Sequence, residues 1–483
     1  MNELDKNQAE ICRQWGIPLE GTEDLAARLK RTCQYFGRWM RTRTRDTSRY
    51  GYEYVSGIIR LEQGRTIAGL SRVSAVNEQA LGHFTSQSPW DSAGMIGAIG
   101  AEISRREEWQ SGAMVLLDES GEEREGKKTV GAARQYSGRA GKVDMGQMGV
   151  FAALVKGSFW TWLDGELYVP ERWFSADYAE QRQQAGLPAE RTFETKLELG
   201  LRLVKRLRAQ EVLFEAVACD TFYGRDGWFR AALAADNFEY MAEVPVSQRV
   251  YLSEPTSGLP TNKKGPKAEH ICVLSPHADR VDKVCRQPDL DWQMLTIRAT
   301  DRGHLTADFA ARRVWTVWED TDEQRHVRQE WLVIRHDPSG RHSYALSNSP
   351  EDTPLTRLAQ RKCQRSFIEQ ANREATSDFG WDEIQTTKYR AWQHHLALTI
   401  LAAWFIAETK LDWAIEFARD PALLTQYEVD VLPTLSVANV RTLLRSSLPL
   451  PQLSTEQAAA LVVKHLVNRT RSRKSRLNHR PGT

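Results

Sequence analysis

The sequence has few cysteines and none of them in a pair. Six are scattered over 483 residues (Cys12, Cys33, Cys219, Cys272, Cys285, Cys363), with no CxxC spacing among them. That argues against both a disulfide framework and a structural zinc site, and it predicts reduced, mostly buried thiols. Long apolar runs are also missing. The longest, Leu396 to Ala407, is about a dozen residues, against the roughly twenty that a spanning helix needs. The opening MNELDKNQAEICRQWG has no apolar signal-peptide stretch. A cytoplasmic protein without a membrane partner is expected. Excess charge of one sign is absent too, with 65 Lys and Arg against 63 Asp and Glu.

Where the charges lie says more than their sum. Arg38, Arg41, Arg43, Arg45 and Arg49 crowd the stretch RWMRTRTRDTSRY. The last fifteen residues, RTRSRKSRLNHRPGT, hold six Lys and Arg, among them Arg471, Arg473 and Lys474, and no acid. Either cluster alone reads equally well as a solvated helix face or a self-repelling, disordered tail. Two at opposite ends of a near-neutral chain point to a polyanion partner.

At this length several domains are expected. Residues 1–105 read as helical, with RTIAGLSRVSAVNEQALGHF forming two short helices around a turn, compatible with a helix-turn-helix. Residues 106–249 read as an α/β unit, a mixed sheet flanked by helices. AMVLLDES and FEAVACDTFYG are apolar strands ending in acids, MGQMGVFAALVKGSFWTWLDGELYVPE is antiparallel strand pattern, and ETKLELGLRLVKRLRAQ is an amphipathic covering helix. Residues 250–350 break the rhythm with a Pro/Gly/Lys-rich loop and aromatic strands, and read as a mainly β insertion. Residues 351–410 return to helices, one nearly all apolar and hence buried, and 411–483 form a helical end with the basic tail.

Asp118 and Asp220 each end an apolar strand, which places a carboxylate at the rim of the sheet, where α/β folds bind ligands. Glu369 lies on the helix after the insertion. Three carboxylates around one point repel each other unless a cation sits between them, and hard Mg²⁺ or Mn²⁺ ions suit oxygen donors. Two such ions serve phosphodiester displacement. Any one acid reads at least as readily as a cap or a salt bridge. Arg365, Glu369 and Arg373 are spaced four apart on one helix face, which is either a phosphate grip beside the metals or a solvated ion-pair ladder.

The stretches LDESGEEREGKKTVGAARQYSGRAGKVDMGQMGVF, CDTFYGRDGWFRAAL, YALSNSPEDTPL and RSFIEQANREATSDFGWDE resemble the DDE superfamily transposases of bacterial insertion sequences, in particular the insertion sequence 701 group. The resemblance spans roughly residues 30 to 410. It implies an RNase-H-like core interrupted before the third acid, and cut-and-paste transposition by a nucleoid-associated enzyme. It further implies Asp118, Asp220 and Glu369 as the catalytic and metal-holding acids. The partners implied are the terminal inverted repeats and target DNA, gripped by Arg365, Arg373, Lys127 and Lys128 and by the terminal basic clusters, with a homodimer in the synaptic complex. One departure stands out: Thr376 occupies the place of a usual lysine, and Arg373 is the candidate substitute.

Other patterns carry less. GEEREGKK nearly matches a phosphate-binding P-loop, yet Lys128 replaces the Mg²⁺-holding hydroxyl and a strand follows, so no nucleotide cofactor is expected. His394 and His395 adjoin the buried helix and read as satisfied core residues. Trp292, Trp315, Trp318 and Trp331 in the insertion are either a stacking platform for an unpaired base or the core of a small β-domain. The alternatives are an inactive DNA-binding descendant acting as a repressor and, more remotely, a glycoside hydrolase with paired carboxylates among tryptophans.

Overall fold

A computed structural model describes residues 3–123, 128–137, 142–258, 272–300, 303–320, 324–384 and 386–478. Lys127, most of the Pro/Gly/Lys-rich stretch and the last five residues lie outside them.

The apolar run before Asp118 forms β1 (Met114–Glu123), with Val115, Leu116 and Leu117 fully buried. After β2 (Ala133–Ser137) comes a hairpin of β3 (Lys142–Lys156) and β4 (Phe159–Tyr168), turned at Gly157, whose φ of 61° favours glycine. β5 (Ala216–Cys219) and β6 (Glu239–Val244) run parallel to β1. The order β4-β3-β1-β5-β6 is therefore a mixed sheet, antiparallel on one side of β1 and parallel on the other. A helix, Lys196–Ala209, covers it, opened by a capping box in which Thr195 and Glu198 satisfy each other's backbone N–H groups.

The strand-rich stretch continues this sheet and does not form a β-domain of its own. β7 (Gln293–Thr300), β8 (Gly303–Glu319), β9 (Arg325–His336) and β10 (His342–Ser347) form an antiparallel run, and β10 pairs with β6. Among the described residues the result is ten strands in one sheet. Fully buried Glu330 of β9 ties the added strands to the core, taking hydrogen bonds from Arg230 Nε at 3.1 Å and Tyr240 Oη at 2.5 Å.

Six described α-helices precede the sheet: α1 (Glu3–Gln14), α2 (Leu19–Phe36), α3 (Ser48–Arg60), α4 (Ile67–Arg72), α5 (Glu78–Ser86) and α6 (Ser92–Arg105). Thr66 and Asn77 cap α4 and α5, the two short helices anticipated around a turn. With α7 (Lys196–Ala209) and α8 (Gly227–Ala235) inside the sheet's connections, the chain ends in α9 (Leu355–Gln364), α10 (Ser366–Ser377), α11 (Tyr389–Glu416), α12 (Val437–Ser447) and α13 (Thr455–Asn478). The apolar α11 is buried along nearly its whole length against β4, α3 and α6. No described helix is long and apolar enough to cross a membrane. His394 and His395 are core residues on α11, bonded to the Thr85 carbonyl and to Tyr54 Oη respectively. Cys33, Cys219, Cys285 and Cys363 are buried free thiols.

Candidate active site

Strand register brings the first two acids together. Leu117 of β1 pairs with Cys219 of β5, so the next residue of each chain segment, Asp118 and Asp220, stands at one level on the sheet's carboxyl edge. Asp220 also opens the short helix Thr221–Gly224, its Oδ1 accepting from the Phe222 N–H at 3.0 Å and more distantly from Tyr223. Helix α10 crosses this edge. Phe367, Ile368, Ala371 and Ala375 bury one face, and Glu369, Asn372, Arg373, Thr376 and Ser377 turn the other toward Asp118 and Asp220 across a cavity of about 910 Å³.

The cavity is strongly acidic. Asp118, Glu119, Glu122, Asp220, Glu369 and Asp382 line it, with Arg373 the one basic side chain among the described lining residues. Burial pushes the Asp118 carboxyl up to about 7; Arg365 and the Glu119 amide oppose the rise, while Asp220 adds to it. Asp118 keeps one bond to the Glu119 N–H at 2.8 Å and a long one, 3.5 Å, from Asn372 Nδ2. Asn372 is in turn fixed by the Trp162 indole N–H at 3.0 Å. Sequence reasoning missed Asn372, since an asparagine on a helix carries no signal without its partners.

Glu369 is exposed and turned to Arg365, with Nη1 and Oε1 2.5 Å apart. The ion pair that the spacing permitted is thus formed. Hard carboxylate donors and a charge-starved buried acid fit a divalent cation by chemistry. Yet among the described residues no three acid, His or Cys side chains converge closely enough to hold one.

The remaining predicted residues lie apart from the cavity or at its margin. Thr376 donates to the Asn372 carbonyl at 2.6 Å, so its hydroxyl serves the helix. Arg41 is paired to Asp46 at 3.0 Å, whereas Arg43 and Arg45 are exposed and line a second cavity beside α5 with Tyr50 and His83. Lys128 is exposed, as are Arg471, Arg473 and Lys474 along α13, so the basic tail is helical rather than disordered as far as Asn478. None of the four insertion tryptophans lines the acid cavity. Trp318 stacks on His326, Trp331 donates to the Pro350 carbonyl at 3.0 Å, Trp292 packs beside His336 and His342, and Trp315 pairs through its backbone with Tyr251.

An acid-lined cavity at the carboxyl ends of parallel strands, in a mixed sheet flanked by helices, is the arrangement expected of an α/β nuclease. The chain belongs to the DDE superfamily endonucleases, a family that matches residues 35–304. That stretch includes Asp118 and Asp220 and stops short of Glu369. The chain is also 25% identical over 348 residues to a probable transposase for insertion sequence element IS701 of Microchaete diplosiphon, covering 70% of this chain and 77% of that protein. Membership of an endonuclease family leaves no ground for the glycoside hydrolase alternative.

Proposed function

We propose that this protein is an insertion-sequence transposase with an RNase-H-like catalytic core. It binds the terminal inverted repeats of its element, cleaves there, and joins the 3′ ends to target DNA as a homodimer, without a nucleotide cofactor, in the bacterial cytoplasm at the nucleoid. The observation that carries this reading is the register that sets Asp118 and Asp220 side by side beneath the Glu369 face of α10.

Asp118, Asp220 and Glu369 would hold two Mg²⁺ or Mn²⁺ ions, which supply an activated oxygen nucleophile and stabilise the leaving oxygen. The chain's own residues bind and orient. Asn372 holds the Asp118 carboxylate toward the cavity. Arg373, exposed at the mouth, is placed to contact a phosphate in the role vacated at Thr376. Arg365 offers a second guanidinium, while Arg43, Arg45, Lys128 and the α13 cations grip the backbone more distantly.

The test is cleavage of duplexes bearing the element's own ends. Asp118→Asn, Asp220→Asn and Glu369→Gln are each expected to bind those ends and to lose metal-dependent cutting and strand transfer. Binding is expected to tighten slightly, because removing an acid relieves repulsion of phosphate. A fully active Glu369→Gln moves the third ligand elsewhere. Wild-type protein inert with either metal returns the reading to a DNA-binding repressor.

A further inference from the structure

Glu243 occupies a place in the site that the reading above does not assign. Cys219 pairs with Ala242 in the β5–β6 ladder, just as Leu117 pairs with Cys219 between β1 and β5. One residue beyond that aligned row stand Asp118, Asp220 and Glu243, three acids at one level of the sheet. Glu243 does not line the acid cavity. It faces two cations instead, with Lys362 Nζ 3.6 Å from Oε1 and Arg365 Nε 3.7 Å from Oε2. Both separations are longer than a hydrogen bond. Lys362 Nζ and Arg365 Nε are buried and have no hydrogen-bond partner among the described residues. Unmade bonds of buried donors are costly, the more so on charged groups. Meanwhile Nη1 of the same guanidinium is bonded to Glu369, whose side chain is 63% exposed.

We propose that Glu243 is a positioning residue that takes over Arg365 when Glu369 turns to a divalent cation. The inference rests on the metal-site reading given above. Arg365 has five donors and is shared by an acid of the sheet and an acid of the helix. A small movement toward Glu243 completes the bond that Nε lacks and frees Glu369 to join Asp118 and Asp220. A bond gained at Nε compensates in part for the one lost at Nη1, so cation binding can select the second arrangement. The backbone beneath Glu243 is fixed by close packing, since a Cβ at Gly224 would lie 1.9 Å from the Glu243 carbonyl oxygen.

The experiment is Mn²⁺ binding to the full-length protein without DNA, read from the electron paramagnetic resonance signal of free Mn²⁺. Glu243→Gln and Glu243→Asp are compared in the wild-type and Glu369→Gln backgrounds, with melting curves to confirm folding. In the wild-type background each variant is expected to bind Mn²⁺ about tenfold more weakly, a coupling of ordinary size. In the Glu369→Gln background neither should weaken it further, because the effect passes through Glu369. Equal weakening in both backgrounds shows that only the field of Glu243 matters and overturns the proposal, as does unchanged binding. Glu243→Asp keeps the charge and shortens the reach, so an Asp variant that behaves like wild type also overturns it, and this variant alone suffices if Glu243→Gln does not fold. Wild-type protein that binds no Mn²⁺ refutes the metal-site reading itself, a result distinct from all the others.

Discussion

A carboxyl group held near pH 7, as Asp118 is, makes folding pH-dependent in a definite direction. In the unfolded chain it ionises near 3.8, and in the folded protein only at about 7. Between those values the folded state keeps a proton that the unfolded state has lost. Stability from this group is therefore fully present in acid and is lost as pH rises toward 7. Asp118→Asn escapes the loss, so it should melt like wild type at about pH 4 and higher than wild type at pH 8, by at most ~4 kcal/mol. Added Mg²⁺ should close the gap by stabilising wild type alone. Parallel melting curves from pH 4 to 8 would disprove the desolvated acid. Asp220 was legible in the sequence because an apolar run ending in an acid fixes where a carboxylate meets the sheet edge, whereas Asp118, expected at a strand's end, lies within β1, paired with Phe151 five residues before the strand stops at Glu123. Glu243 was not legible, because it sits in FEYMAEVPV among strand residues and matters only through its register with β5. The other acids near Glu369 are already engaged: Glu374 accepts from the Trp160 indole and Gln370, and Glu383 from Arg65. Asp164 is buried against Arg206, so replacing it tests stability rather than chemistry.

Helices and strands were read from periodicity, and most were found where the pattern put them. Their partners were harder to foresee. The aromatic strands after residue 290 were recognisable as strands, but whether they close on themselves or extend the core depends on β10 meeting β6, a pairing no local pattern encodes. At α13 the charge rule misled. Ala458, Ala459, Ala460 and Leu461 are strong helix formers, as are Arg and Lys, and Arg469, Arg471, Arg473 and Lys474 are exposed to solvent, so self-repulsion does not prevent a helix. The C-terminal half of α13 presents Arg469, Arg471, Arg473 and Lys474, exposed, as a rod of positive charge. Such a rod is expected to clamp duplex backbone without reading sequence. Deleting residues 469–483 should weaken binding to all duplexes alike. The slope of log affinity against log salt should also flatten, by about 0.9 for each phosphate that the shortened protein no longer neutralises. An unchanged slope would remove α13 from the interface.

The helical N-terminal region shares one core with the sheet that carries Asp118 and Asp220. One continuous set of buried side chains runs from Leu25 and Tyr54 through Leu116 and Phe151 to Trp404 and Leu444. Arg65 is the polar bolt in that union, and its place in EQGRTIAG looks like that of any surface arginine. Its side chain is 1% exposed and pairs with Glu383 at 2.7 Å. It also donates to the carbonyls of Ile58 and Leu61 in the N-terminal region and of Ser377, the last residue of α10. The helix that carries Glu369 is thereby fastened to the region that holds Arg43 and Arg45. Arg65→Ala strips this donor from Glu383 Oε1 and from the carbonyls of Ile58 and Ser377, while Glu383 Oε2 keeps the backbone N–H of residue 65 and the Leu61 carbonyl keeps Arg441. Losing the buried guanidinium should cost on the order of 3–5 kcal/mol. Arg65→Lys should recover little of it, because one ammonium cannot reproduce the guanidinium fork. Wild-type protein should unfold in a single calorimetric transition, and Arg65→Ala should lower that transition and end-cleavage together while leaving the salt slope of DNA binding unchanged. If wild type instead melts in two steps, with the lower one alone moved by Arg65→Ala, the N-terminal region is a separate unit and grips DNA independently of the acids.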